Sequence, residues 1–152
     1  MKYRLLLLFV LIRSLTVSAQ SDNTVYDPLL AESLGGDDYG MKSYMLVILK
    51  TGTAEIEDKE IRDSLFQGHI ANIVRLAKEG KLVVAGPLSK NDKNYRGIFI
   101  LNSTTKEEAE ILLQSDPAIK EKVFETEIYK WYGSAALPTY LPNHEKIEKK
   151  KM

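Results

Sequence analysis

Residues 97–113, GIFILNSTTKEEAEILL, carry the signals that decide the fold. Residues 97–102 form a short apolar run rich in β-forming side chains, which indicates a buried strand. Residues 105–108, TKEE, match a capping box, in which a threonine hydroxyl and a glutamate satisfy free amides at the start of a helix. The stretch therefore predicts a strand followed at once by a helix.

Strand and helix signals also alternate on the amino-terminal side of this stretch. Residues 42–50 form a similar apolar run, and residues 82–85 form another that ends at Gly86. Between them, residues 58–79 carry apolar side chains at a helical period, and Gly80 supplies a stop signal. This part of the chain predicts a strand, a helix and a second strand.

The carboxyl-terminal side completes the pattern. Asp116 and Pro117 end the second helix and begin a short turn, and residues 123–132 alternate as a fourth strand. The order βαββαβ predicts an α+β, ferredoxin-like subunit with an antiparallel sheet and two helices on one face. The first three strands are apolar on both faces, so we expect a homodimer that buries the second face.

Composition narrows the classes of partner and cofactor. Twenty-one basic and 21 acidic residues give zero net charge, so no basic field favours nucleic acid. The absence of cysteine excludes disulfides, thiolate metal sites and cysteine nucleophiles. Two histidines are too few for an imidazole metal site, although mixed ligation with carboxylates stays open. No residue requires a metal or another cofactor, and the prediction contains none.

The first 19 residues resemble a signal peptide. A basic start precedes an apolar run at residues 5–12, and small residues at 17–19 precede Gln20. The run is far shorter than the ~20 residues that span a bilayer, so the mature chain is predicted to have no membrane span. This predicts a periplasmic or secreted protein. The alternative is a cytoplasmic protein whose translation starts at Met41.

The remaining sequence divides into three parts. Residues 20–41 are polar and rich in turn formers, which predicts a linker with at most one helical turn. Residues 42–132 form the predicted domain. Residues 133–152 form a carboxyl-terminal extension that ends in a charged tail.

Two side chains are candidates for chemistry. His69 lies near the middle of the apolar arc of the first long helix, and a buried imidazole needs partners for its ring nitrogens. It is either a general acid or base or a core histidine bonded to a backbone carbonyl. Asp116 is explained by capping alone, although a capping carboxylate can also orient a nearby imidazole. We predict that the two adjoin one pocket.

Four further residues are candidates for binding a small-molecule ligand. Arg62 and Arg96 could each meet an anionic group, or extend into water. Tyr140 is otherwise a packing aromatic, and His144 is otherwise a solvated residue of the tail.

Several short segments of this chain are weak signals one by one, but their order and spacing taken together are specific. They are GHIANI at 68–73, GKLVVAGP at 80–87, RGIFIL at 96–101, EEA at 107–109, DPAIK at 116–120 and Trp131. Over about residues 42–132 the chain resembles the YCII-related (YciI-like) proteins, especially exported bacterial members with a carboxyl-terminal extension.

The resemblance implies a ferredoxin-like subunit that pairs into a dimeric α/β barrel. It also implies that His69 and Asp116 correspond to a proposed active-site His–Asp pair, in a family whose related sequences include an enzyme acting on chlorinated muconolactones. This chain has Phe66 where many members carry an arginine, so Arg62 or Arg96 would have to bind an anion instead.

These observations predict an exported small-molecule enzyme that uses a His–Asp pair for acid–base chemistry on an organic acid or lactone. The alternative is a binding module that holds a small ligand in the same pocket without converting it. A pH–rate profile that depends on His69 would favour the enzyme, whereas saturable binding without product would favour the module.

The signal sequence gives the first testable prediction. We expect cleavage after Ala19, so that the mature chain begins at Gln20. Amino-terminal sequencing and the intact mass of protein isolated from the source cells measure this directly. A chain that starts at Met41, or one that retains Met1, would contradict the prediction.

Overall fold

The structure, a computed structural model, describes residues 23–150. The predicted signal peptide lies outside these residues. Helices and strands follow in this order: α1 (Pro28–Leu34), β1 (Met41–Thr51), α2 (Lys59–Lys78), β2 (Leu82–Pro87), β3 (Tyr95–Leu101), α3 (Lys106–Gln114), α4 (Pro117–Lys120), β4 (Phe124–Ser134), a 3₁₀ turn (Leu137–Tyr140) and α5 (Leu141–Ile147). No helix in this part of the chain is long and apolar enough to cross a membrane.

The four strands form one antiparallel sheet in the order β2-β3-β1-β4. Val47 at the centre of β1 lies opposite Phe99 on β3 and Ile128 on β4, which sets the register of the central strands. This confirms the predicted α+β class with a four-stranded antiparallel sheet and helices, and it is consistent with a ferredoxin-like fold.

The hydrophobic core lies between one face of the sheet and helices α2, α3 and α4. Alternate β1 residues point into it because successive strand side chains face opposite sides. The core consists of Met45, Val47, Leu49, Leu76, Leu82, Phe99, Leu101, Ala109, Leu113, Ala118, Ile119 and Phe124.

The other face of the sheet is also apolar. Leu46 and Ile48 on β1 alternate with the core residues, and Ile48 pairs with Ile98 while Leu46 pairs with Ile100. All four are half-buried, whereas the helical members of the core lie on the opposite side. This subunit therefore leaves an apolar surface at the centre of its sheet.

The helix starts follow the capping signals in the sequence. The side chain of Asp58 accepts from the first amides of α2, Thr105 Oγ1 accepts from Glu108 N at 3.2 Å, and Asp116 caps α4 with Pro117 as its first residue. The buried face of α2 differs from the predicted arc. Ile61 and Phe66 are exposed, and burial begins only at His69.

The segment predicted as a linker contains α1, which has two turns and is capped by Asp27 and Gly35. After α1, the chain attaches to β4 because the Tyr132 hydroxyl donates a hydrogen bond to Asp37. That hydrogen bond raises the pKa of Tyr132 to about 12 and lowers the pKa of Asp37. The contact joins two parts of the chain that are remote in sequence.

Gly68 allows α2 and α4 to approach closely. A Cβ atom at this position would lie 2.5 Å from Pro117 Cγ, well inside van der Waals contact. Since Gly68 precedes His69 and Pro117 follows Asp116, this contact sets the distance between the backbones that carry the two side chains.

We expect Gly68→Ala to destabilise the protein, although helix propensity alone would favour alanine by about 1 kcal/mol. Crowding against Pro117 costs about 1–3 kcal/mol and should outweigh that gain. Denaturant unfolding measures the difference, with the exposed Gln67→Ala as a control on the same helix. Pro117→Ala in the same chain should relieve the loss, and a Gly68→Ala variant as stable as the parent would contradict the packing argument.

Candidate active site

The structure brings His69 and Asp116 into direct contact. His69 Nδ1 lies 2.7 Å from Asp116 Oδ2, although the two residues are 47 positions apart in the chain. His69 is 8% exposed and Asp116 is completely buried. The close approach of α2 to α4 therefore creates a buried polar pair.

Asp116 has two structural roles. Its Oδ1 accepts hydrogen bonds from Ala118 N at 2.9 Å and Ile119 N at 3.4 Å, which caps α4. Its Oδ2 meets His69 and also accepts from Asn72 Nδ2 at 3.4 Å. With N–H groups at both oxygens, the carboxylate acts only as an acceptor.

This arrangement assigns the ring nitrogens of His69. Because Asp116 acts as an acceptor, Nδ1 is the nitrogen that donates the hydrogen bond. In the neutral ring the other nitrogen, Nε2, then carries the free lone pair. A neutral His69 can therefore accept a proton at Nε2 while Nδ1 stays bonded to the carboxylate.

Two aromatic rings hold the imidazole in place. The Phe99 ring is stacked on it with centroids 5.9 Å apart, and the Phe124 ring is tilted against it at 5.1 Å. These rings restrict rotation of the imidazole and exclude water from the Asp116 side. Exclusion of water strengthens the electrostatic interaction between the two polar groups.

His69 forms part of the wall of a cavity of about 440 Å³ between α2, the sheet and the carboxyl-terminal segment. Most of the wall is apolar, with Phe66, Ile70 and Ile73 from α2 and Leu82 from β2. Asp116 is not in the wall, because it lies buried behind the His69 ring. The predicted pair is therefore in direct contact beside the cavity, and His69 is the member that lines it.

The other candidate ligand-binding residues divide into two groups. Arg96, Tyr140 and His144 line the same cavity. Arg62 does not, because its guanidinium turns back and donates to Ile56 O at 3.2 Å, in the segment before α2. Arg62 thus lies outside the residues that line this cavity, and a role for it in binding an anion stays a prediction.

The carboxyl-terminal extension contributes to this cavity. The Tyr140 hydroxyl donates to Val83 O on β2, and burial raises the pKa of Tyr140. Leu141 and His144 on α5 also line the cavity. A segment predicted as an extension and tail therefore supplies part of the pocket wall.

Sequence reasoning missed Asn72 and Arg75. Asn72 is 6% exposed and connects Asp116 to Arg75, whose Nη2 lies 2.7 Å from Asn72 Oδ1. The available signal was spacing, because His69, Asn72 and Arg75 follow one another at three-residue intervals along one stripe of α2. An analysis of apolar positions alone passes over this polar stripe.

Two other features of the described residues bear on possible chemistry. No group of three or more histidine, aspartate or glutamate side chains within residues 23–150 is placed to hold a metal ion. A more open depression of about 530 Å³ lies between α3 and β4, with Lys106, Glu110 and Glu127 in its wall. It contains no histidine.

Comparison with known proteins gives a family and a similarity to solved structures. Residues 43–132 match the YCII-related domain. A search of curated proteins finds no match. Among solved structures, the chain is similar to 5-chloro-2-hydroxyhydroquinone dehydrochlorinase (TftG) from Burkholderia phenoliruptrix AC1100, in complex with 2,5-dihydroxybenzoquinone. The identity is 21%, the TM-score is 0.41, and the match covers 57% of this chain and 92% of that one.

Proposed function

The chain belongs to the YCII-related domain family, and from this premise we propose that it is a small-molecule enzyme in which His69 moves a proton on an organic acid or lactone. One observation carries the proposal: an imidazole 2.7 Å from a buried carboxylate forms part of the wall of a 440 Å³ cavity. A core histidine bonded only to a backbone carbonyl would have neither the carboxylate nor the cavity.

In the proposed reaction, Nε2 of neutral His69 takes a proton from a C–H or O–H group of the bound ligand. The imidazolium that forms is stabilised by Asp116, which keeps its hydrogen bond with Nδ1 throughout. The same nitrogen returns the proton to the ligand at another position or to a leaving group. General acid–base catalysis of this kind contributes about 10²–10⁴ in rate.

The walls of the cavity favour an apolar molecule with one anionic or polar end. Apolar side chains from α2 and the sheet enclose the body of the ligand. Arg96 lines the cavity and is the cation proposed to meet a carboxylate or a lactone carbonyl. Tyr140 and His144 are proposed to contact the ligand from the carboxyl-terminal segment.

We propose that this enzyme is exported. The basic start, the apolar run and the small residues at 17–19 support cleavage by a signal peptidase. The mature protein would then act in the periplasm or outside the cell. Its small-molecule ligand would be met in that compartment.

We also propose that the protein is a homodimer that forms a dimeric α/β barrel. The half-buried face around Leu46, Ile48, Ile98 and Ile100 supports this, because an antiparallel sheet facing water normally alternates with polar residues. A second copy of the chain that places the same face against it would bury both surfaces.

Proton transfer can be detected before the natural substrate is known. The protein is incubated in D₂O with a panel of unsaturated γ-lactones and apolar carboxylic acids, and NMR follows deuterium that enters C–H positions of each compound. We expect exchange with at least one compound, and we expect His69→Gln to slow it by about 10²–10⁴-fold. Glutamine can still donate to Asp116, but it cannot act as a base.

The matched control is Gln67→Ala, an exposed change on the same helix that should leave the exchange rate unchanged. Each compound is also tested for binding by calorimetry. Saturable binding without exchange or product would support the binding module instead. Equal exchange rates in the parent and in His69→Gln would contradict a role for His69 in proton transfer.

The dimer proposal makes a separate prediction. Ile48→Lys should dissociate or unfold the protein, because a lysine in the interface would be buried without a partner. Light scattering at micromolar concentration should give the mass of a dimer for the parent and half that mass for a folded variant. Ile111→Lys, at a 73% exposed position on α3, is the control and should remain dimeric. A stable monomer of the parent chain would contradict the proposal.

A further inference from the structure

Asn72 is a buried polar side chain whose orientation is determined by its neighbours. Its Oδ1 lies 2.7 Å from Arg75 Nη2 and 3.0 Å from Ser115 Oγ. Arginine has no acceptor, so the oxygen of the amide must face Arg75. The amide nitrogen therefore faces Asp116, where Nδ2 lies 3.4 Å from Oδ2.

The same contacts connect a positive charge to the buried carboxylate. Among the described residues, the hydrogen bonds to the carboxylate of Asp116 come from two backbone amides, His69 and Asn72, and none comes from a lysine or arginine side chain. The amide of Asn72 lies between Arg75 and Asp116. The guanidinium of Arg75 donates to the amide oxygen, and the amide nitrogen donates to the carboxylate of Asp116. Arg75 is itself held by Glu79, with Nη1 at 2.9 and 3.0 Å from the two carboxylate oxygens.

We infer that Asn72, held by Arg75, is a positioning residue for the proposed reaction of His69. It supplies a donor to Asp116 without adding charge, so that one fixed negative charge lies behind the imidazole. Nδ1 then remains the donor, and Nε2, the nitrogen proposed to take the proton, remains the acceptor. The inference rests on the proposed function, because the assignment of Nε2 matters only if that atom takes a proton.

The geometry of the site explains why an amide is needed at this position. An aspartate at position 72 would place a second carboxylate against Asp116, and two like charges at this distance favour an imidazolium at His69. A leucine would fill the space but would leave one lone pair of Oδ2 without a donor. The other charged or titratable groups around the ring and the amide are Arg75 and Glu79 on α2, Arg96 on β3, and Tyr140 and His144 in the carboxyl-terminal segment.

The test uses the full chain labelled with ¹⁵N in its histidine rings, and the NMR spectrum reports which ring nitrogen is protonated. The chain has two histidines, so the signals of His69 are assigned by their loss in His69→Gln. At alkaline pH, where imidazoles are neutral, we expect the parent to show a proton on Nδ1 and none on Nε2. Turnover of a ligand is not required for this measurement.

Two variants of Asn72 test the inference. Asn72→Asp should lose the unprotonated Nε2 signal at a pH where the parent still shows it, because the ring stays doubly protonated. Asn72→Leu removes a donor from Asp116 Oδ2, so the carboxylate should hold the imidazolium more tightly, and Nε2 should likewise stay protonated at a pH where the parent shows it unprotonated. Gln67→Leu, an exposed amide replaced on the same helix, is the control and should keep the signals of the parent. Circular dichroism establishes that each variant is folded.

The outcomes separate the inference from the function on which it rests. Folded Asn72→Leu or Asn72→Asp variants with the His69 signals of the parent would overturn the inference about Asn72 and leave the role of His69 intact. A parent protein in which Nε2 of His69 carries the proton at alkaline pH would instead overturn the proposed function. A shift in both variants, with no shift in Gln67→Leu, supports the positioning role.

Discussion

The packing of α2 against α4 depends on one carboxylate, that of Asp116, from which water is excluded. Asp116 is completely buried, and such a group is tolerated only when N–H donors surround it. Two donors come from the first turn of α4, and two come from His69 and Asn72 on α2. The carboxylate therefore joins two helices that are distant in sequence. They can come close enough because Gly68 has no Cβ atom.

The same interaction holds the imidazole of His69 at the wall of the cavity. Asp116 holds one nitrogen of the imidazole, the rings of Phe99 and Phe124 pack against it, and His69 lines the cavity while Asp116 does not. The carboxyl-terminal segment completes the wall, with Tyr140 bonded to Val83. The acid–base proposal rests on this separation between a buried charge and an open cavity.

Local sequence patterns predicted much of the fold because local interactions determine those features. The apolar runs predicted the strands. Thr105 and Asp116 predicted the starts of two helices, because a capping side chain binds backbone amides only two or three positions away. The burial of Asn72 was not predicted. An apolar period shows which face of a helix is inward, but a polar residue on that face is explained only by partners such as Asp116, 44 positions further on.

In the candidate site, too, local sequence predicted some features, whereas tertiary contacts determine the others. The position of His69 on an apolar face predicted a polar partner, and the resemblance to a family indicated Asp116. The contact itself requires the tertiary approach of α2 to α4. Arg62 was a candidate because it lies two turns before His69 on the same side of the helix, yet the carbonyl of Ile56 binds its guanidinium. Helix α5 lies beside the cavity through contacts of Tyr140 that no local pattern encodes.

The most direct test of the central claim is the pH dependence of kcat/KM for a ligand that the protein converts. If neutral His69 is the base, the rate must fall as pH is lowered, because an imidazolium has no lone pair to accept a proton. We expect this acidic limb in the parent and its absence from the residual activity of His69→Gln. An acidic limb that persists unchanged in His69→Gln would show that another group is the base, and would contradict the account.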